Sequence, residues 1–215
     1  MADDAKQVIA VGAMEIHLHV RRPDGTESLA PADVAQTLTL VRTACPAIPI
    51  EISTSAAIVP DVAERYQLIS QWTIMPDYVS VNLHEEGALD LMELLIHKGI
   101  RIEAGIWQAT AAEKLLSSHV ANACLRILIE PQDAMLEAAL MNIQSIEALL
   151  DRAENQIPRL LHGLDTTAWD LVREAINRRY STRVGLEDML MLPDGTPAQN
   201  NTALIAAARQ LFSCI

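Results

Sequence analysis

Hydrophobic and polar positions divide the chain into two kinds of segment that alternate from one end to the other. Short runs rich in valine, isoleucine and leucine predict β-strands, and each is followed by a stretch whose apolar residues recur at helical spacing. The predicted strands cover residues 15–21, 48–53, 78–83, 100–104, 125–129, 158–162 and 182–184. The predicted helices cover the first dozen residues, a stretch opened by Pro31, then 60–72, 87–97, 109–120, a long segment ending near 150, 166–178 and 201–212.

Strands that alternate with helices predict a parallel sheet, because each parallel pairing needs a crossover connection. Seven such units at this spacing favour an α/β fold of the TIM (β/α)₈-barrel type, formed by residues 1–215 as a single domain. The apolar runs show little alternation, which is typical of a sheet buried on both faces. An open doubly wound sheet usually carries a glycine-rich phosphate turn after its first strand, and the sequence has no Gly-x-Gly-x-x-Gly.

The first predicted strand carries two histidines one residue apart, His17 and His19. Successive side chains of a strand point to opposite faces, so both imidazoles project from the same face and can share a metal ion. The alternative is a pair of half-exposed strand histidines without a metal. A catalytic zinc site usually takes three protein ligands, so the metal hypothesis requires a third ligand elsewhere in the chain.

The segment from Arg183 to Asp188 supplies that ligand. Adjacent carboxylates at Glu187 and Asp188 are electrostatically unfavourable unless positive charge lies nearby, and a divalent metal with an arginine would provide it. We expect Glu187 to complete a His₂Glu zinc site. We expect Asp188, oriented by Arg183 and the hydroxyl of Ser53, to act as a general base. The alternative is a solvated acidic pair on a loop.

Further polar residues stand at the predicted strand ends, where the active site of a (β/α) barrel lies. From this set we assign substrate binding to Thr54, Asn82 and Glu103. Each member also has a structural explanation, as a helix cap, a loop amide or a packed histidine. The remaining members are His84, Glu130 and His162.

Composition narrows the possible partners. The formal net charge of −12 and isoelectric point near 4.8 argue against nucleic acid and anionic membranes as partners, since both bind basic surfaces. Cys45, Cys124 and Cys214 form no Cys-x-x-Cys pair, which argues against a disulfide framework and fits the cytoplasm. The acidic start of the chain does not resemble a signal peptide, and no apolar run is long enough to cross a membrane.

Taken together, these motifs resemble the β-keto acid cleavage enzymes, whose founding activity is 3-keto-5-aminohexanoate cleavage. The resemblance is carried in family order by His-x-His-x-Arg at 17–21, Pro-Asp-Gly at 23–25, Ser-Thr at 53–54, Glu103, Arg126, Glu-Pro at 130–131, His-Gly at 162–163, and Arg-x-Gly-Leu-Glu-Asp at 183–188. It implies a TIM barrel with Zn²⁺ on His17, His19 and Glu187. It also implies a catalytic set of Asp188, Arg183 and Ser53.

The reaction implied by this resemblance is a condensation followed by a retro-Claisen cleavage, in which a β-keto acid and acetyl-CoA give acetoacetate and a new acyl-CoA. The family resemblance also implies a homo-oligomer. The chain departs from the family pattern in lacking a counterpart of the usual first barrel strand. It also has Arg22 where an acidic residue is usual and Ser55-Ala56 where a glycine is usual.

Two other functions remain open at the level of sequence. An amidohydrolase-like metal-dependent hydrolase also carries His-x-His on an early strand, but that class needs further histidine ligands, for which His84 and His162 are the candidates. A degenerate, non-catalytic metal-binding relative would retain the ligands without the reaction.

Overall fold

Strand pairing follows chain order, and each strand is parallel to the next. The computed structural model describes residues 1–213, and within them six strands form one sheet in the order β1 to β6. The strands are β1 (Ile16–Leu18), β2 (Ile50–Ser53), β3 (Tyr78–Asn82), β4 (Arg101–Ile106), β5 (Arg126–Ile129) and β6 (Arg159–Leu161). The helices are α1 (Ala2–Ala10), α2 (Pro31–Ala44), α3 (Val62–Ser70), α4 (Ala88–His97), α5 (Ala109–Leu116), α6 (Leu136–Arg152), α7 (Ala168–Arg178) and α8 (Asn201–Phe212). The sheet curls into a TIM-like half-barrel, so the predicted fold class is confirmed.

The prediction of a seventh strand over residues 182–184 is wrong. Over residues 182–184 the described chain has no strand, and pairing there is reduced to a single parallel bridge between Ser181 and Leu160. The hydroxyl of Thr182 donates a hydrogen bond to the Leu161 carbonyl at 2.8 Å and holds this segment beside β6. A segment that finds a partner on one side only forms few ladder bonds, and the sheet of residues 1–213 therefore does not close onto β1.

The strands alternate more strongly than the sequence suggested. Their outward residues, such as Ile52, Val81 and Ile127, are buried in the core between sheet and helices. Their inward residues are largely polar, as with Glu51, Ser80, Glu103, Asn82 and Arg126. TIM barrels usually fill their interior with branched apolar residues, whereas this half-barrel surrounds a polar inner face.

Helices α1 and α8 pack against each other beside the open edge of the sheet. The Asn201 side-chain amide donates a hydrogen bond to Asp4 Oδ2 at 2.9 Å, which joins the beginnings of the two helices. Gly12 follows α1 with φ +108°, and a Cβ at this position would lie 2.6 Å from the Arg209 side chain of α8. The positive φ favours glycine at this position, whereas the flexible Arg209 side chain could move aside for a Cβ.

Two sequence expectations concern residues away from the site. Cys45 and Cys124 are buried free thiols, and Cys214 lies outside the described residues. Among residues 1–213, no helix has both the length and the apolar character needed to cross a bilayer.

Candidate metal and catalytic site

The structure brings His17, His19 and Glu187 together at the carboxyl end of β1. Both histidines project from the inner face, as the two-residue spacing predicts. Glu187 Oε1 lies 3.1 Å from His19 Nε2 and 3.8 Å from His17 Nε2. Their candidate ligand atoms all lie within 4.8 Å of one another. Among the described residues, these three side chains form the metal-competent group, meaning a cluster of His, Cys, Asp or Glu close enough to share one ion. Residues 168 positions apart in the chain thus converge as the metal hypothesis requires.

The donor set fits a zinc ion in both chemistry and spacing. Zinc takes imidazole nitrogen and carboxylate oxygen at about 2.0–2.2 Å in a tetrahedral arrangement, which places two ligand atoms about 3.3 Å apart. The separations of Glu187 Oε1 from His17 and His19 bracket that value. Three protein ligands leave one position for substrate or water, as in catalytic zinc sites.

Local electrostatics favour the ligand forms of His17 and Glu187, whereas the pKa of His19, which burial would lower, is raised by the carboxylates of Glu187 and Glu27. Burial lowers the pKa of His17 to about 3, and the positive charge of Arg183 acts in the same direction. Burial would raise the pKa of Glu187, but the hydrogen bond from His19 and the positive charges of His19 and Arg183 help to lower it to about 2. A neutral imidazole and an ionised carboxylate are the forms that bind metal, so these two residues are suited to ligation near neutral pH.

Asp188 lies beside Arg183. Its Oδ1 lies 3.8 Å from Arg183 Nη2, and both side chains are largely buried. Burial raises the pKa of Asp188 to about 7, although the charge of Arg183 opposes the rise. A carboxylate poised near neutral pH can both accept and release a proton, which is the property of a general base.

His162 is a member of this site that the sequence assignment left out. It is fully buried, and its two ring nitrogens lie 3.7 Å from Asp188 Oδ1 and 3.8 Å from Glu130 Oε2. Burial, reinforced by the charge of Arg183, lowers the pKa of His162 well below its usual range. A neutral histidine between two carboxyl groups can donate to only one of them at a time. The signal was present in the sequence, since His162 directly follows a buried strand.

A second polar group lies deeper on the inner face, and the sequence motifs of the site include its members Glu103 and Arg126 but not Glu15 and Tyr78. The Arg126 guanidinium donates to Glu103 Oε2 at 2.5 Å, to Glu15 Oε2 at 2.9 Å and to the Tyr78 hydroxyl at 3.2 Å. Burial, together with the negative charge of Glu51, raises the pKa of Glu103 to about 7, although the Arg126 guanidinium opposes the rise. Glu103, predicted to bind substrate, is thus held in a buried ion pair.

The remaining predicted site residues, Ser53, Thr54 and Asn82, form hydrogen bonds outside the candidate metal site. The Ser53 hydroxyl accepts a hydrogen bond from the Ser55 N–H at 3.4 Å and, within residues 1–213, makes none with Arg183 or Asp188. The Thr54 hydroxyl donates to the Ser80 carbonyl at 2.6 Å, which ties β2 to β3. Asn82 donates to Glu85 Oε1 at 3.1 Å. Direct contact among the predicted catalytic residues is therefore limited to Arg183 and Asp188.

A cleft of about 980 Å³ leads to the histidine pair through the open edge of the sheet. Its walls include His17, Glu187 and Arg183 on the catalytic side, and Met14 and Phe212 beside α1 and α8. Such a volume is within the range of small-molecule sites. The cleft therefore gives a substrate access to both the candidate metal ligands and Asp188.

Comparison with known proteins gives a family match and solved structures with a similar fold. The model of the beta-keto acid cleavage enzyme family matches residues 1–214. A search of curated proteins found no match. Among solved structures, the apo structure of ObcA superposes with a TM-score of 0.75 at 14% identity, covering 97% of this chain and 59% of that one. The ternary complex of ObcA with C4-CoA adduct and oxalate gives a TM-score of 0.76 at 14% identity, with 97% and 61% covered.

The same fold occurs in a type I 3-dehydroquinate dehydratase from Clostridium difficile, with a TM-score of 0.65 at 14% identity over 99% of this chain and 87% of that one. At these identities structural likeness shows the fold alone. The chain spans about three fifths of the length of the ObcA chains.

Proposed function

Because the chain belongs to the β-keto acid cleavage enzyme family, we propose that it is a zinc-dependent enzyme that exchanges acyl groups between a β-keto acid and acetyl-CoA. The products are acetoacetate and a new acyl-CoA. The observation that carries the proposal is the convergence of His17 Nε2 and His19 Nε2 on Glu187 Oε1, with Asp188 next in the chain and facing Arg183. This arrangement combines a metal-ligand set with a separate buried base.

In this proposal His17, His19 and Glu187 hold the zinc ion. When bound, zinc would act as a Lewis acid towards the keto and carboxylate oxygens of the substrate and so acidify the carbon between them. The spacing of the donor atoms supports that assignment. The ObcA ternary complex with C4-CoA adduct and oxalate supports a CoA thioester as one reactant.

Asp188 takes the proton from the carbon between the keto and carboxylate groups. The resulting carbanion attacks the acetyl thioester, a carbon–carbon bond forms and CoA leaves as the thiolate. The thiolate then attacks the original keto carbon, and the bond between that carbon and the former carbanion carbon breaks. The new acyl-CoA and the carbanion of acetoacetate result, and Asp188 returns its proton to that carbanion.

Arg183 supports this cycle through its charge. It is largely buried, and its nearest ion-pair partner among the described residues is Asp188 Oδ1 at 3.8 Å. A buried guanidinium beside a carboxylate favours the ionised form, which is the form that accepts the substrate proton. Ser53 lies at the end of β2 on the same inner face, and in this proposal its hydroxyl meets the substrate rather than Asp188.

The hydrolase alternative finds less support. It requires more histidine ligands, but the metal-competent group of the described residues contains only His17 and His19 as histidines. The His84 ring stacks on Trp107 with centroids 3.8 Å apart, and His162 lies between two carboxyl groups. Neither histidine shares the candidate metal position.

The test is direct. Purified, zinc-loaded protein is incubated with acetyl-CoA and a panel of β-keto acids, and both acetoacetate and the new acyl-CoA are measured. We expect equal amounts of the two products with at least one keto acid. Asp188→Asn serves as the matched control with a strongly reduced rate. Zinc-loaded protein that is inert with every pair of substrates would contradict the proposal and favour a non-catalytic metal-binding relative.

A further inference from the structure

In each candidate histidine ligand, Nε2 faces Glu187. The other ring nitrogen, Nδ1, faces a second carboxylate. His17 Nδ1 lies 3.0 Å from Glu51 Oε2, and His19 Nδ1 lies 3.0 Å from Glu27 Oε2. Within residues 1–213, neither Nδ1 has a hydrogen bond with satisfactory geometry, so the carboxylate oxygen at 3.0 Å is the acceptor within reach of each. The two rings are thus placed in the same way, with Nδ1 towards an acid and Nε2 towards Glu187.

Glu51 is placed opposite His17 by the sheet. The register of β1 and β2 pairs these two residues directly, so their side chains lie side by side on the inner face. Glu51 is only 1% exposed, its one ion-pair partner among the described residues is His17, and the charges of Arg183 and Arg126 act on it from beyond ion-pair distance. A buried carboxylate without a lysine or arginine partner is costly unless another positive charge is present.

Glu27 is placed by the hairpin that follows β1. An antiparallel bridge pairs Arg21 with Glu27, and Arg21 Nη2 lies 2.6 Å from Glu27 Oε1. The other carboxylate oxygen, Oε2, is left to face His19. Glu27 is therefore fixed by an arginine, at the more exposed rim of the site.

A carboxylate at Nδ1 determines which nitrogen of an imidazole can bind a metal. A neutral imidazole carries one proton, and an acceptor at Nδ1 holds the proton there and leaves the Nε2 lone pair free. Such partners also orient the ring, and their loss typically weakens metal binding by about 10–100-fold. In this chain the freed Nε2 atoms are the ones that converge on Glu187 Oε1.

We propose that Glu51 and Glu27 are positioning residues that hold His17 and His19 with Nε2 directed at a divalent metal. Glu51 has the larger effect, because its carboxylate is buried and less screened by water. This inference rests on the metal site of the proposed function, but it concerns residues outside the ligand set and can be measured without substrate.

The experiment compares zinc affinity in the full-length parent protein, Glu51→Gln and Glu27→Gln. Glutamine keeps the size of the side chain and removes its charge. Zn²⁺ affinity is measured by competition with a chromophoric chelator after the folding of each variant has been checked by circular dichroism. We expect about 10–100-fold weaker binding in Glu51→Gln and a smaller loss in Glu27→Gln.

Glu93→Gln is the matched control, because Glu93 Oε1 also faces a histidine, His119 Nε2 at 3.3 Å, on the exposed surface. Its zinc affinity should equal that of the parent. A second readout is the ¹⁵N spectrum of the zinc-loaded parent, in which both histidines should coordinate through Nε2 and keep a proton on Nδ1.

Unchanged zinc affinity in both Glu51→Gln and Glu27→Gln would overturn the inference, as would coordination through Nδ1. If Glu51→Gln does not fold, the loss of affinity in Glu27→Gln decides. Because neither readout uses a CoA ester or a keto acid, a protein that binds zinc as expected but is catalytically inert would refute the proposed function and leave this inference standing.

Discussion

Glu187 and Asp188 are adjacent in the chain, yet their carboxylates face different partners. Glu187 Oε1 lies 3.1 Å from His19 Nε2, whereas Asp188 Oδ1 lies 3.8 Å from Arg183 Nη2. A turn comes just before the two side chains separate. It is closed by a hydrogen bond of 3.0 Å from the Asp188 N–H to the Gly185 carbonyl. The two acids are thereby separated into one candidate ligand and one candidate base.

Removal of one ligand should abolish stable zinc binding. We expect Glu187→Ala to lose most bound zinc, because a site with three protein ligands retains only the two histidines. Elemental analysis of the purified protein measures this directly. His119→Ala, which alters an exposed histidine away from the site, should retain the parent zinc content. Stoichiometric zinc in Glu187→Ala would remove Glu187 from the site.

Loss of the base should reduce the rate without affecting the metal. Asp188→Asn keeps the shape of the side chain but cannot accept the substrate proton, so we expect kcat to fall by about 10²–10⁴-fold with zinc content unchanged. Acetoacetate formation and elemental analysis are measured on the same sample. Asp90→Asn, on the exposed side of α4, is the control. An unmodified rate in Asp188→Asn would exclude this residue as the base.

Arg183→Ala should impair the rate to a similar degree by a different route. The substitution removes the buried positive charge that favours ionised Asp188, and Arg183→Lys should restore part of the loss. Ser53→Ala is a contrast, since one hydrogen bond is worth about 1 kcal/mol, or about fivefold in rate. The kcat of all three variants is compared at equal zinc content. A larger loss in Ser53→Ala than in Arg183→Ala would reverse the roles assigned here.

The buried Glu103 should make stability depend on pH. Burial and the charge of Glu51 raise its pKa from 4.5 to about 7. The folded state therefore binds the proton more tightly than the unfolded state, so the contribution of Glu103 to stability is lost as the pH rises from 4.5 through about 7. A shift of this size corresponds to on the order of 3 kcal/mol.

Glu103→Gln lacks this titration. Its free energy of unfolding should rise relative to that of the parent protein by on the order of 3 kcal/mol between about pH 4 and about pH 8. Urea unfolding of both proteins in the presence of a chelator measures the difference. Glu93→Gln, at an exposed carboxylate, should follow the parent at both pH values. A pH-independent difference between Glu103→Gln and the parent would contradict the expected titration.

A second copy of the chain should pack against the apolar residues beside the open edge between β1 and the Ser181 segment. Unpaired strand edges and exposed apolar residues favour association, and Met14 and Phe212 beside the cleft are 79% and 44% exposed. We expect a homo-oligomer by light scattering at micromolar concentration. Met14→Glu should weaken it, whereas Met135→Glu, at an exposed residue that does not line this cleft, should not. A monodisperse monomer of the parent protein would contradict this expectation.

The sequence alone determined the order of strands and helices and the face shared by His17 and His19. Both follow from local periodicity, because the direction of a side chain in a strand depends on its position within that strand. The helix predicted over 201–212 has those bounds in the structure, where Asn200 caps it by accepting a hydrogen bond from the Ala203 N–H. The resemblance of the motifs to one family also came from the sequence, and the family match confirms it.

Tertiary structure decided which residues surround the ligands. Glu51 faces His17 because of the register between β1 and β2, and Glu15 reaches Arg126 from 111 residues away. The residues at 182–184 have the composition of a strand but lack a partner on one side, so only the bridge at Ser181 remains. Local periodicity fixes the direction of a side chain, but pairing energy depends on which neighbour lies beside it. That neighbour is set only when the whole sheet has assembled.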